Sequence, residues 1–239
     1  MKITSIHQPS FFPWLGLLDK IAKSNHFVFL DHAAVNKGSY QYRNLFYCNG
    51  AAKFLTLPVD ISINKPINEL KFTNSRWADE HLEKLKNYYR RALHFQEIFP
   101  IIQDFYKMNQ ANTPGEVIVN SMKLMYSLFD MKIETEFSSN LSCSEKKGFM
   151  VLEICKKVQT DIYLSGRGAR DYMDDAVLRA FSTAGIGLIW HDFKHPLYNQ
   201  MDQLEFVDGL SSLDMLFFQG IEKSKELFWN NVNTSKTYE

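Results

Sequence analysis

The order of apolar runs near the start of the chain constrains its fold more than any other feature. A β-branched run, Ile3 to Ile6, stops at His7-Gln8-Pro9. Trp14, Leu17, Leu18 and Ile21 then recur at helical spacing, Asn25 ends that helix, and HFVFLD follows as a second continuous apolar run. A strand that is apolar along its whole length has both faces covered, which is the habit of parallel sheets. The segment therefore reads as a β-loop-α-β unit, and its FFPWLG stretch starts no regular helix before Pro13.

Farther along, Tyr40, Tyr42, Phe46 and Tyr47 lead to Asn49-Gly50 and then AAKFLTLPV. Asn-Gly between two strand-like runs is a strong hairpin signal. Helices are predicted from about Ser75 to Leu93, Phe95 to Met108, Pro114 to Phe129, Lys147 to Val158 and Ala169 to Thr183. Further strands are predicted at Lys132 to Phe137, Asp161 to Leu164 and Gly187 to His191. This alternation points to an α/β fold with a parallel, Rossmann-like sheet and a largely helical insertion or subdomain. The expected organisation is an α/β core over 1–74 and 130–220, a helical insertion or cap over 75–129, and a C-terminal helix over 221–239 whose end, NVNTSKTYE, is frayed. The strands beginning at Ile3, His26, Asp161 and Gly187 should share one sheet.

Composition narrows the function classes. With 27 Lys+Arg against 27 Asp+Glu, the chain has no net field to steer it onto nucleic acid or an anionic membrane, so any anion site is local. No run approaches the ~20 apolar residues that a spanning helix needs, so no membrane insertion is expected. MKITSIHQPSFFPWLG lacks an uninterrupted apolar leader core, and the expected compartment is the cytoplasm. Cys48, Cys143 and Cys155 are scattered without Cys-x-x-Cys spacing or a Cys/His cluster, which indicates neither a disulfide framework nor a zinc site. No metal ligand set and no cofactor signature is evident.

Two segments carry residues suited to chemistry. His7 and Gln8 lie where a parallel strand ends and a helix begins, the edge at which open α/β sheets bind ligands. His7 offers a general base and Gln8 a hydrogen-bonding amide; the alternative is that His7 caps the strand and the prolines shape the turn. The second segment, YLSGRGARDY, places Ser165, Gly166, Arg167, Gly168 and Arg170 after an apolar strand and before an expected helix. Backbone amides at such a terminus together with arginines suit a phosphate, although the spacing is neither a Walker A nor a GxGxxG motif; an ordinary strand-to-helix turn with solvated arginines is the alternative. Trp14, Asp31, Lys37, Arg43, His195 and Tyr198 are candidate substrate-binding residues along the same edge. Asp214, in SSLDMLFFQG, reads as a helix cap.

IHQPSFFPWLGLLDKIAKSNHFVFLD, Lys37, QYRN, TLPV, IYLSGRGARDYMDD, Tyr198 and LSSLDMLFFQG together resemble the WbqC-like family of bacterial proteins, from about Ile3 to Gly220. That resemblance implies a role in clusters for O-antigen and other surface polysaccharides, and hence a step on a sugar or its activated precursor. A fainter likeness is to the nucleotidylyl transferase fold, whose HxGH helix start is replaced here by Pro13, Trp14, Leu15 and Gly16; this supports an analogy of fold alone.

The expected activity is that of a transferase working on a nucleotide-linked sugar, by acyl or aminoacyl transfer to its amine. Its expected partner is a phosphate-bearing small molecule such as a sugar nucleotide. The alternatives are a nucleotidylyl transferase-like, nucleotide-dependent enzyme and a non-catalytic sugar-nucleotide-binding subunit. In each case His7 and Ser165 should face a common cleft.

Overall fold

The computed structural model describes residues 1–61, 65–200 and 205–234. Along the chain run β1 (Ile3–His7), α1 (Leu15–Ala22), β2 (His26–Phe29), β3 (Arg43–Cys48), β4 (Ala51–Thr56), α2 (Trp77–Tyr89), α3 (Phe95–Asn109) and α4 (Pro114–Leu128). They are followed by β5 (Glu134–Phe137), α5 (Lys147–Lys157), β6 (Ile162–Ser165), α6 (Asp175–Thr183), β7 (Gly187–Trp190) and α7 (Ser212–Thr234).

Five strands form one parallel sheet in the order β5-β2-β1-β6-β7, so the strands expected to pair do so, with β5 added at one edge. All four residues of β2 are buried, as its unbroken apolar run requires. One face of the sheet packs in a cluster with α1, while the other packs α5 and α6 around Ile6, Val28 and Tyr163. From β1 the chain builds outward through β2 to β5, then crosses back to place β6 and β7 on the other side. The reversal falls between β1 and β6, and a crevice opens at the carboxyl ends of strands where such a reversal occurs.

The β3–β4 hairpin turns at Asn49 and Gly50, both in the left-handed region (φ 48° and 85°), as a two-residue hairpin turn of this type demands. Helices α2, α3, α4 and α7 share one buried cluster with α1 and this hairpin, on the α1 side of the sheet. Thr113 and Glu116 form a reciprocal capping box that starts α4 directly before Pro114.

Three local expectations are corrected. Ala169 to Thr183 is not one helix: Arg167–Asp171 is a 3₁₀ turn, and α6 begins at Asp175 behind Asp174, whose side chain accepts from the Val177 amide. Asp174-Asp175 supplies the better cap, so the arginine turn stays outside the α-helix. α7 holds two helical stretches, 212–219 and, as expected, one beyond Gly220, joined across a kink at Gly220 (φ 73°), where a Cβ would meet His94 at 2.6 Å. It continues through Thr234, so part of the segment expected to fray is helical, and 235–239 lie outside the described residues.

The third correction concerns Asp214, which is no cap. It is fully buried and accepts hydrogen bonds from Tyr89 (3.0 Å), Tyr198 (2.7 Å) and Gln200 (3.1 Å), joining α7 to α2 and to the segment after β7. Burial outweighs these donors and raises its pKa from 3.8 to about 6. Between those values the folded protein holds a proton that the unfolded chain releases, so this group's contribution to stability falls as pH rises from about 4 to about 6 and is level above that. At 1.36 kcal/mol per unit the decline is on the order of 3 kcal/mol. Urea unfolding at closely spaced pH values should show that decline in the wild type and its absence in Asp214→Asn.

Candidate functional site

The loop between β1 and α1 is fixed before any ligand arrives. Phe11 and Phe12 are completely buried, and Phe12 sits at φ 40°. The Phe11 amide donates to the Gln41 carbonyl (2.9 Å) and the Phe12 amide to Ser121 Oγ on α4 (2.9 Å). The buried Asn44 side chain donates to both the Phe11 and Phe12 carbonyls, at 3.1 and 2.8 Å. The amides and carbonyls of both phenylalanines thus find partners on Gln41, Asn44 and Ser121, as buried backbone in an irregular segment requires. The result is a rigid rim carrying His7, Gln8 and Trp14.

Three adjoining cavities, of about 440, 610 and 300 Å³, meet at His7. The first lies toward Gln8, Trp14, Tyr40 and Gln41. The other two share Lys20, Gly166 and Gly168, and the smallest of the three also holds Arg167 and His191. The edge of β1 and the turn after β6 therefore face one cleft. Ser165 itself is fully buried, its carbonyl accepting from the His191 amide (2.7 Å), so it braces the turn while Gly166 to Gly168 line the space.

His7 Nδ1 donates to the Gln8 carbonyl (2.7 Å), because a carbonyl only accepts; Nε2 is left as the ring's acceptor. His7 is exposed to the cleft, and partial desolvation by its walls, then the ammonium of Lys20, hold the imidazole below its ordinary pKa, so it is neutral at pH 7. Lys20 is buried, donates to the Ile6 carbonyl (3.1 Å), and is lowered by desolvation from 10.5 to about 7. An ammonium this close to losing its proton gains greatly from an anion beside it. Arg167 pairs with Asp192 (2.6 Å), both side chains largely exposed, and an exposed pair of this kind is weakly held. Arg170 stacks over the Trp190 ring at 5.1 Å.

Gly166 and Gly168 do not serve backbone strain, since neither has a positive φ. A Cβ at Gly168 would meet nothing within 4 Å, and one at Gly166 would meet only the Lys20 ammonium, at 3.9 Å. What these glycines preserve is open space against the cleft. Gly16 acts differently: a Cβ there would lie 2.3 Å from the Trp14 indole, which folds back over the first turn of α1 and meets Phe193 edge-on at 5.3 Å.

Other expected site residues are placed elsewhere. Asp31 accepts from Ser138 Oγ, the Ser139 amide and Ser139 Oγ, capping the turn after β5, and lines a separate cavity with Lys123 and Phe137. Arg43 donates to the Gly38 carbonyl and stacks on Phe54 at 3.9 Å, which shapes the loop behind Tyr40. Lys37 is exposed on that loop. His195 donates to the Pro196 carbonyl (2.9 Å) among Phe193, Phe206 and Tyr198, and Tyr198 is committed to Asp214.

Sequence reasoning missed Lys20 and His191. The available signal was that LGLLDKIA carries only Asp19 and Lys20 as charged residues among apolar ones, and the structure buries every residue from Leu15 to Ile21. Charges with no solvated face on their own helix must be answered by something opposite.

Gly16→Ala should displace the Trp14 indole and perturb the two cavities it lines. The near-ultraviolet circular dichroism should change in the same bands as in Trp14→Phe, while the melting temperature stays within a few degrees, because alanine favours the helix by about 1 kcal/mol. Unchanged aromatic signals in Gly16→Ala would show that the indole is not held by this contact.

The chain is 26% identical over 226 residues to the uncharacterized protein Rv1507c of Mycobacterium tuberculosis, covering 93% of this chain and 96% of that one. No solved structure matches it significantly. The model of the WbqC-like protein family matches residues 8–226, from Gln8 on the cleft rim into α7, and the chain belongs to that family.

Proposed function

We propose that this protein is a transferase that binds a phosphate-bearing, nucleotide-linked sugar and modifies it for surface-polysaccharide assembly, by acyl or aminoacyl transfer to a sugar amine. One observation carries this reading: His7 stands where three cavities meet, between a side rich in aromatic and amide groups and a side holding Lys20, Arg167 and open glycine backbone. The phosphates would lie against Lys20 and the turn from Gly166 to Arg170. The sugar would reach past His7 toward Trp14, which is 38% exposed, and Tyr40, 49% exposed, where ring faces and the amides of Gln8 and Gln41 suit a sugar. His7, neutral and accepting at Nε2, and Gln8 would orient the amine.

Amine attack on a thioester needs a proton acceptor, positioning and oxyanion donors, all of which side chains and amides supply. A nucleotide-dependent reading draws on the reversal of strand order at β1 and β6, where nucleotides bind in open sheets. Thermal unfolding with UDP-, CMP- and dTDP-linked sugars, acyl thioesters, and ATP or CTP with Mg²⁺ separates these readings. A true ligand at ~100 times its dissociation constant adds about 2.7 kcal/mol. Stabilisation by sugar nucleotides, with turnover of an amino-sugar nucleotide by a thioester, is the expected outcome. Stabilisation without turnover would favour a binding subunit, and stabilisation only by ATP or CTP would overturn acyl transfer in favour of the nucleotide-dependent enzyme.

Two further outcomes are specific to the cleft. Gly168→Leu fills open space, so it should fold normally and yet weaken sugar-nucleotide affinity at least ten-fold by calorimetry. At pH 8 Lys20 is mostly neutral, so binding a sugar nucleotide, whose diphosphate does not titrate there, should draw a proton onto Lys20. The observed binding enthalpy should then vary with the ionisation enthalpy of the buffer in the wild type and not in Lys20→Met.

A further inference from the structure

A second histidine enters the same cleft, with a different set of partners. His191 follows β7 at the carboxyl edge of the sheet, its amide donating to the Ser165 carbonyl, and its ring lines the smallest cavity with His7, Lys20 and Arg167. Its Nε2 lies 2.7 Å from Oδ1 of Asp19, which comes from α1 and is completely buried. The same oxygen takes Lys23 at 2.6 Å, and Oδ2 of Asp19 makes no hydrogen bond among the described residues. A carboxylate this deep, with one oxygen unanswered, is costly as structure alone, and such costs concentrate where a site needs them.

We propose that Asp19 and His191 form a carboxylate–imidazole dyad that supplies the proton-transfer group of the cleft. Asp19 accepts from Nε2–H, which fixes the tautomer and leaves the lone pair on Nδ1, where no hydrogen bond to the described residues competes for it. The near-parallel ring of Phe193, 6.3 Å away at 21°, and the backbone bond to Ser165 hold the imidazole in place. As the acceptor's nitrogen or oxygen forms its bond to the donor's carbonyl carbon, its proton passes to Nδ1. The donor's bond to its leaving group breaks, and that group takes the proton back from Nδ1. The imidazolium that exists between these steps is stabilised by Asp19, so Asp19 is a positioning residue and His191 the catalytic one.

The division of labour with His7 follows from their surroundings. His7 has a backbone carbonyl on one nitrogen and Lys20 nearby, both suited to a neutral ring that accepts a hydrogen bond. His191 has a buried carboxylate on one nitrogen, suited to a ring that gains and returns a proton. The charged and titratable groups about His191 among the described residues are Asp19 and Lys20 from α1, Lys23 directly after it, His7 from β1, Arg167 from the turn after β6, and Asp192 beside it.

This assignment rests on the transferase reading, and its test keeps the two apart. In full-length protein with ¹⁵N-labelled histidine, the His191 signals, identified by their loss in His191→Gln, should report a protonated Nε2 and a bare Nδ1 at pH 7.5. A protonated Nδ1 with a bare Nε2 would overturn the dyad whatever the cleft binds. Affinity for UDP and dTDP should stay within about three-fold of wild type in His191→Gln and in Asp19→Asn. With the amino-sugar nucleotide and thioester that turn over, kcat should fall about 100- to 10,000-fold in His191→Gln and substantially in Asp19→Asn, with KM nearly unchanged. A raised KM at preserved kcat would make the pair a ligand clamp and refute the proposal. If Asp19→Asn does not fold, the wild-type tautomer and the His191→Gln kinetics decide. If the wild type binds neither nucleotide and the tautomer is as expected, the phosphate reading falls and the dyad stands.

Discussion

The rest of the molecule depends on the burial of Phe11 and Phe12. A strand that ends at a ligand-binding edge would ordinarily lead into a mobile loop, but here the chain turns two phenylalanines inward. It ties their backbone to Gln41, Asn44 and Ser121. Phe12 packs against Phe46, Phe105 and Tyr106, so one loop binds the hairpin and the helical segment to the sheet. The Pro13 carbonyl then receives the Ser212 amide, which brings in α7. Because that loop is buried and hydrogen-bonded, His7, Gln8 and Trp14 would be placed at small entropic cost in binding the proposed ligand.

A second constraint works from α1. A short helix buried on all sides does not tolerate charge, yet Asp19 and Lys20 are both buried, and Lys23 is turned inward to Asp19. Among the described residues Lys20 gains one carbonyl, and Oδ2 of Asp19 has no hydrogen-bond partner. Replacing such groups with apolar ones of similar size would stabilise many folds. Their concentration where strand order reverses, beneath open glycine backbone, is what the proposed anion site and the proposed proton-transfer dyad would need. The exposed pair of Arg167 with Asp192 is of another kind, weakly held and free to rearrange.

Much of the architecture was legible because it is set locally. The unbroken apolar run of β2, the helical spacing in α1 and the Asn-Gly turn each require one backbone conformation whatever surrounds them. The arginine turn was legible as the end of a strand but not as a 3₁₀ turn, because Asp174-Asp175 competes with it as a helix start and wins. Asp214 was misread for a related reason. Near a serine pair it looks like a cap, and only the arrival of Tyr89 and Tyr198 from distant segments makes it an internal clamp.

By itself the sequence determined most of the strands and helices, that β2 is covered on both faces, and that His7 and the Ser165 to Arg170 turn end strands of one sheet. These follow from periodicity and apolarity, which act over a few residues. The tertiary structure alone decided that Asp31, Arg43 and Tyr198 turn to structural work, and that Lys20 and His191 enter the cleft. Asp19 and His191 stand 172 positions apart, and a lysine or aspartate on a helix looks solvated until its neighbours are known. Whether a charge is buried, and what answers it, is fixed by groups brought together from far along the chain, a property no local pattern contains.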